Sequence, residues 1–199
     1  MSSISTIGNA TLIAYDEAVP ILSTDPWFGD EDHAYFGSWT LSHEIPTKYK
    51  KDILDSKYIW FSHGHPDHLN PLSIKRLEGK NLLLPDHLGS RIYRDLTKKK
   101  KYSIDILPDR TWVQLSKKIR VMCITTILQD GILLLDVAGR LFINLNDAGT
   151  KGATKFIQQE ARSFQNVYLL SLSGYGDADM INCYDKDGVF IIPPAKNNT

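Results

Sequence analysis

Between Ser62 and Asn70 the chain reads SHGHPDHLN. His63, His65, Asp67 and His68 put three of the chain's six histidines and one carboxylate within six residues. Imidazole nitrogen and carboxylate oxygen suit zinc or ferrous iron, whereas calcium and magnesium favour all-oxygen cages. The order H-x-H-x-D-H divides the donors into two pairs. His63 and His65 stand two apart, so an extended or looped backbone throws both to one side. Pro66 then turns the chain, and Asp67 and His68 face a second position beside the first. Two metal ions about 3.5–4 Å apart are a known catalytic arrangement that holds a bridging water or hydroxide. The plain alternative is a loop that happens to be rich in histidine.

The elements around this stretch must position it. The apolar run KYIWFS ahead of the motif predicts a strand over 57–62, and Pro71 at a first helical position predicts a helix over 71–78. Upstream, residues 4–15, broken at Gly8-Asn9, and residues 19–24 read as two antiparallel strands joined at Asp16-Glu17. The second runs into Asp25. That carboxylate either accepts a hydrogen bond from a ligating imidazole and fixes its tautomer, or caps a turn with Pro26. Residues 28–46 form a long, aromatic, Gly-punctuated segment of the kind used as a lid. Its histidines, His33 and His43, are expected outside the ligand set.

Downstream, the pattern alternates: strand 81–85, helix 88–98 and strand 102–107, as in an α/β layer. His87 either faces the cleft or belongs to the start of that helix beside Asp86. From 112 to 145 the pattern changes to consecutive strands, with a hairpin turn at Ala138-Gly139-Arg140. A helix over 151–165 and a doubly buried strand over 166–173 follow, then an apolar run, VFIIPP, in the tail.

The 199 residues are enough for one domain with a real core, and residues 1–199 are read as that single domain. Basic and acidic residues balance at 23 each, which argues against electrostatic capture of nucleic acid or an anionic membrane. The run Lys98 to Lys101 is a solvated helix end rather than a binding patch. Cys123 and Cys183 make no disulfide framework, so a reducing cytoplasm is expected. The N-terminus lacks a basic segment followed by an apolar one, and no apolar stretch approaches the ~18 residues of a membrane span. The expected partner is a small-molecule substrate. Oligomeric state is not legible.

The His-rich stretch resembles the H-x-H-x-D-H signature of the metallo-β-lactamase superfamily. That resemblance implies an α/β fold, the αββα sandwich, with an incomplete C-terminal part as an open alternative for a chain this short. It also implies an acidic residue after a later strand that bridges both metals. FINLNDAGT puts Asp147 in that slot, and capping of the following helix is the alternative role. A closer resemblance is to the metallo-β-lactamase-like part of the CMP-N-acetylneuraminate hydroxylases. It rests on DPWFG, GSWTLSHEIP, FINLNDA and LSLSGYGDADMINCY, and covers roughly residues 9–184. Those hydroxylases also carry an iron–sulfur domain, which needs paired Cys and His ligands that two distant cysteines do not supply. Sialic acid hydroxylation is therefore not expected of this stretch alone.

Two departures from the superfamily pattern matter. No histidine follows His87, so the further His before the bridging Asp and the last His both lack a match. In the first slot stands Gln129-Asp130: either Asp130 is an oxygen ligand, which would favour iron or manganese, or the pair is a plain turn. The expected ligands are thus His63, His65, Asp67, His68, Asp147 and Asp130, with Asp67 also catalytic and Asp25 behind them. The implied cofactor is one or two Zn2+, or alternatively Fe2+ or Mn2+. The implied activity is hydrolysis of an ester, amide or phosphodiester by metal-activated water. Two alternatives stand beside it: a non-haem iron oxygenase or oxidoreductase, and a degenerate, non-catalytic binding domain.

Overall fold

Strands of this chain are apolar on both faces, and each face finds a different partner. The computed structural model describes residues 1–171. In chain order the elements are β1 (Ser3–Gly8), β2 (Thr11–Asp16), β3 (Val19–Thr24), β4 (His33–Ala34), β5 (Trp39–Thr40), α1 (Thr47–Asp55), β6 (Tyr58–Trp60), β7 (Asn81–Pro85), α2 (Arg91–Thr97) and β8 (Ser103–Leu107). They continue with β9 (Trp112–Gln114), β10 (Ile119–Thr125), β11 (Gly131–Val137), β12 (Arg140–Asn146), α3 (Thr154–Ala161) and β13 (Asn166–Ser171). One sheet runs β1-β2-β3-β6-β7-β8 and the other β13-β12-β11-β10-β9.

The two sheets face each other across a shared core. Leu12, Leu22, Trp60 and Leu83 of the first sheet meet Val121, Cys123, Leu133 and Leu135 of the second. The alternate residues point the other way. Ile59, Phe61, Leu82 and Leu84 pack beneath α1 and α2 with Ile53 and Leu96. Met122, Ile124, Ile132 and Leu134 pack against α3 through Ile157. Burying each such side chain fully is worth about 1.5–3 kcal/mol. The result is helix layer, sheet, sheet, helix layer: the αββα sandwich of the metallo-β-lactamase fold.

The predicted alternation of strand and helix appears as β3, β6, β7 and β8 pairing in parallel. The predicted run of hairpins appears as β9 to β12 pairing antiparallel. The turn after β2 uses Glu17 and Ala18, both at positive φ (51° and 70°), as a tight hairpin requires. The expected helix over 71–78 is instead a 3-10 turn at Ser73–Leu77. The cause is tertiary. Asn70 Oδ1 accepts from the backbone N–H groups of Leu72 and Ser73, and Ser73 turns its hydroxyl to Asp32 while accepting from Phe28 N. The strand expected over 166–173 with both faces buried is β13, and its Val167, Tyr168 and Leu169 are exposed instead; its end and the apolar run in the tail lie outside the described residues, as does Cys183.

The two sheets are joined where the site lies. Gly131 N donates to Ser62 O at 3.0 Å, linking the start of β11 to the end of β6. A Cβ on Gly131 would stand 2.8 Å from Pro85 Cγ, 3.0 Å from Trp60 Cζ2 and 3.1 Å from Ser62 O. Gly131→Ala is therefore expected to destabilise the chain by about 1–3 kcal/mol, as overpacking does. A denaturant midpoint equal to that of the wild type would show that this junction yields easily.

Candidate metal centre

Parallel strands carry their C-terminal ends to one edge of a sheet, and ligand sites form there. β3 ends at Thr24 beside Trp60 of β6, so Asp25 follows one strand and the His motif follows its neighbour. β12 brings Asp147 to the same edge from the opposite sheet. Two residues at these strand ends turn the chain through left-handed backbone, Asp25 at φ 39° and Asn146 at φ 47°. Asp and Asn tolerate that region better than other side-chain-bearing residues.

Within the motif, His68 N and Leu69 N both bond back to His65 O, at 3.0 and 2.8 Å. This closes a turn that sets Asp67 and His68 over the sheet end. His63, His68 and Asp147 each offer a ligand atom within 4.8 Å of the others. His68 Nε2 lies 3.2 Å from Asp147 Oδ2, and His63 Nε2 lies 3.6 Å from the same oxygen. Asp67 Oδ2 stands 3.4 Å from His68 Nε2. His65 is exposed at the mouth, with Nδ1 2.8 Å from His63 Nε2.

The far nitrogens of the buried rings are engaged. His68 Nδ1 is 3.3 Å from Asp25 Oδ2, and Ser62 Oγ lies 2.9 Å from His63 Nδ1 and 3.3 Å from His68 Nδ1. Asp25 is fully buried and accepts from Ser62 N at 2.7 Å and from Asn146 Nδ2 at 2.9 Å. Partners on Nδ1 leave Nε2 of each ring facing the cluster. Asp130 stands apart from this tight group: its Oδ1 is 3.9 Å from His63 Nδ1, on the ring edge turned away from Asp147. His33 and His43 sit elsewhere, near Glu31 O and Ile7 O. The buried Nε2 of His87 has no hydrogen-bond partner among the described residues.

Three participants carried no recognisable mark in the sequence: Ser62, Asn146 and Tyr35. Ser62 and Asn146 directly precede the expected ligands His63 and Asp147. Tyr35 donates to Asp67 Oδ1 at 2.9 Å from 32 positions away. The segment bearing it is a buttress rather than a loose cover. Asp32, buried, holds Arg76 at 2.8 Å, and Asn70 Nδ2 donates to His33 O at 3.0 Å.

The donor chemistry fits a transition-metal ion: convergent imidazole nitrogens and carboxylate oxygens, with His63, His68 and Asp67 buried and Asp147 and His65 exposed. Charges within the group are arranged accordingly. Burial pushes the His63 imidazole down, as does the neighbouring His68. Burial alone would also lower His68, but Asp147 and Asp25 outweigh it and raise His68 to about 10. Contact with His68 in turn holds the Asp147 carboxyl below its ordinary range, against burial.

Asp147 and Asp25 thus favour the imidazolium form of the metal-free His68 at neutral pH, and a metal competes with its proton. Metal affinity is expected to rise by up to about tenfold per pH unit toward pH 10, then level off. Calorimetric titration in buffers of different ionisation enthalpy reads the released proton, and a pH-independent affinity would contradict this. In the metal-free chain, the His68 contribution to stability is complete below its unfolded value near 6.5 and is lost as pH rises through about 10.

The chain matches no protein-family model. It is 30% identical over 113 residues, 54% of its length, to the cytidine monophosphate-N-acetylneuraminic acid hydroxylase of Pongo pygmaeus. It spans only 18% of that relative's own length. Among solved structures it is similar to CmlA, a diiron β-hydroxylase from Streptomyces venezuelae, with a TM-score of 0.61 and 12% identity over 83% of this chain and 33% of that one. It is also similar to an isothiocyanate hydrolase from Delia radicum gut bacteria, with a TM-score of 0.57 and 14% identity over 84% of this chain and 70% of that one. At these identities the structural likeness speaks for the fold. Sandwich, motif and sequence relatives together make this chain a metallo-β-lactamase-fold protein similar to the CMP-N-acetylneuraminate hydroxylases.

Proposed function

We propose that the chain is a metal-dependent hydrolase acting on a small-molecule ester, amide or phosphodiester. One observation carries the reading: donors from separate strand ends, His63, His68 and Asp147, converge within 4.8 Å, with Asp67 and His65 against them. The residues that would hold the metal are those five. A bound cation supplies hydroxide at neutral pH by lowering the pKa of water from about 15.7 to about 7.

The chain's own residues prepare that chemistry. Ser62 and Asp25 hold the rings of His63 and His68 by Nδ1, so that Nε2 faces the ligand. Asp147, kept ionised beside His68, reaches toward both imidazoles and suits a bridging position. Exposed His65 marks the open side, where substrate meets the cluster.

Asp147→Asn tests the bridging role. The variant is expected to lose its weaker metal equivalent first, with at least about tenfold lower affinity, as altered ligand surroundings bring. Equal loss of both equivalents, or of neither, would refute bridging.

A second reading is a non-haem iron oxygenase. The carboxylates Asp67 and Asp147 beside the rings favour iron or manganese more than an all-imidazole site would. The sequence relative is named a hydroxylase and one structural neighbour a diiron hydroxylase. Anaerobic purification followed by elemental analysis separates the readings. Zinc with esterase or phosphodiesterase turnover supports hydrolysis; stoichiometric iron with oxygen uptake overturns it in favour of the oxygenase.

A further inference from the structure

Asp67 spends its two oxygens differently. Oδ2 lies 3.4 Å from His68 Nε2, on the cluster side. Oδ1 accepts the Tyr35 hydroxyl at 2.9 Å. The backbone of Asp67 is held as well, its carbonyl accepting from Asn9 Nδ2 at 2.8 Å. Nothing in the metal reading requires a phenol here.

Tyr35 and Phe36 both lie in left-handed backbone, at φ 48° and 59°, and Gly37 follows at φ 95°. They form the turn between the paired strands β4 and β5, as Glu17 and Ala18 do between β2 and β3, and their surroundings hold that turn in place. Here the surroundings are visible. Asp32 is pinned by Arg76, Ser73 and Gly29 N, His33 O by Asn70, and the Tyr35 ring packs edge-on against Trp39 with centroids 4.8 Å apart. Phe36, between them, is fully exposed. The buttress therefore delivers one polar atom to the cluster, the Tyr35 hydroxyl.

We infer that Tyr35 is a positioning residue for Asp67. By holding Oδ1 toward itself it turns Oδ2 to the cluster, so that a bound metal would meet Asp67 mainly through one oxygen. The inference rests on the metal-centre reading proposed above and deepens it.

The test is Tyr35→Phe in the full chain, with Co2+ as the probe. Phenylalanine keeps the ring against Trp39 and removes only the hydroxyl, so the variant is expected to fold with no more than the small drop in thermal midpoint that losing one hydrogen bond brings. Cobalt affinity is expected to fall about 10–100-fold, the range for losing an outer partner of a ligand. The visible bands are expected to weaken, because a freed Asp67 adds its second oxygen and raises the coordination number. A folded variant matching wild type in either affinity or spectrum overturns the inference and leaves the metal centre standing. A wild-type chain that takes up no cobalt overturns both. A purely structural role would lower the thermal midpoint further and leave the spectrum unchanged, which also refutes it.

Discussion

His65→Ala is expected to lose bound metal and turnover while the fold stays intact. His65 is exposed, and among the described residues its side chain meets the cluster alone, with Nδ1 2.8 Å from His63 Nε2. Removing an exposed side chain away from the core changes stability by no more than about 0.5 kcal/mol. Removing a ligand costs more than removing a residue that supports one, which already lowers metal affinity about 10–100-fold. The two effects should therefore separate cleanly. Circular dichroism and denaturant midpoint are expected to match wild type, while metal content falls to trace after dialysis. A folded, metal-replete and active variant would remove His65 from the site.

Asp25→Ala is expected to fail in the opposite manner, losing stability and metal together. Asp25 has no solvent exposure and serves three partners: Ser62 N, Asn146 Nδ2 and His68 Nδ1. Alanine leaves all three buried without their acceptor. Breaking a buried charge pair from one side costs about 3–5 kcal/mol, and orphaned polar groups add to that. The ring of His68 also loses what orients it, so metal affinity should fall about 10–100-fold in whatever fraction remains folded. Chemical denaturation of the metal-free chain reads the first effect and metal titration at low temperature the second. A loss below about 1 kcal/mol would mean that Asp25 is not the hub its contacts describe.

What the sequence disclosed follows from range. The His motif is local, so its donors were legible as a group before any strand was placed. Asp147 and Asp25 were legible because each directly follows an apolar strand, and strand ends collect at one edge of a sheet. Tyr35 was not legible: it sits in an irregular segment, and only the tertiary fold carries its hydroxyl to Asp67. Ser62 and Asn146 looked like ordinary flanking residues, because their partners lie on other strands. β10 and β11 are apolar on both faces, so nothing in the sequence told Val121 and Cys123, which face the first sheet, from Met122 and Ile124, which face α3. The 3-10 turn at Ser73–Leu77 shows the same limit, since buried side-chain bonds from Asn70 and Asp32 overrode a helix-like pattern. Asp130 illustrates how direction matters as much as proximity. It lies near the cluster, yet beside the ring nitrogen of His63 that faces away from Asp147.

The most direct test is the metal content of the full chain, purified without chelator and without oxygen, measured per mole of protein by elemental analysis. The convergence of His63, His68 and Asp147 predicts one or two equivalents of zinc, iron or manganese that survive gel filtration and disappear in His68→Ala. Less than a tenth of an equivalent in the wild type, after reconstitution with each of those metals in turn, would contradict it.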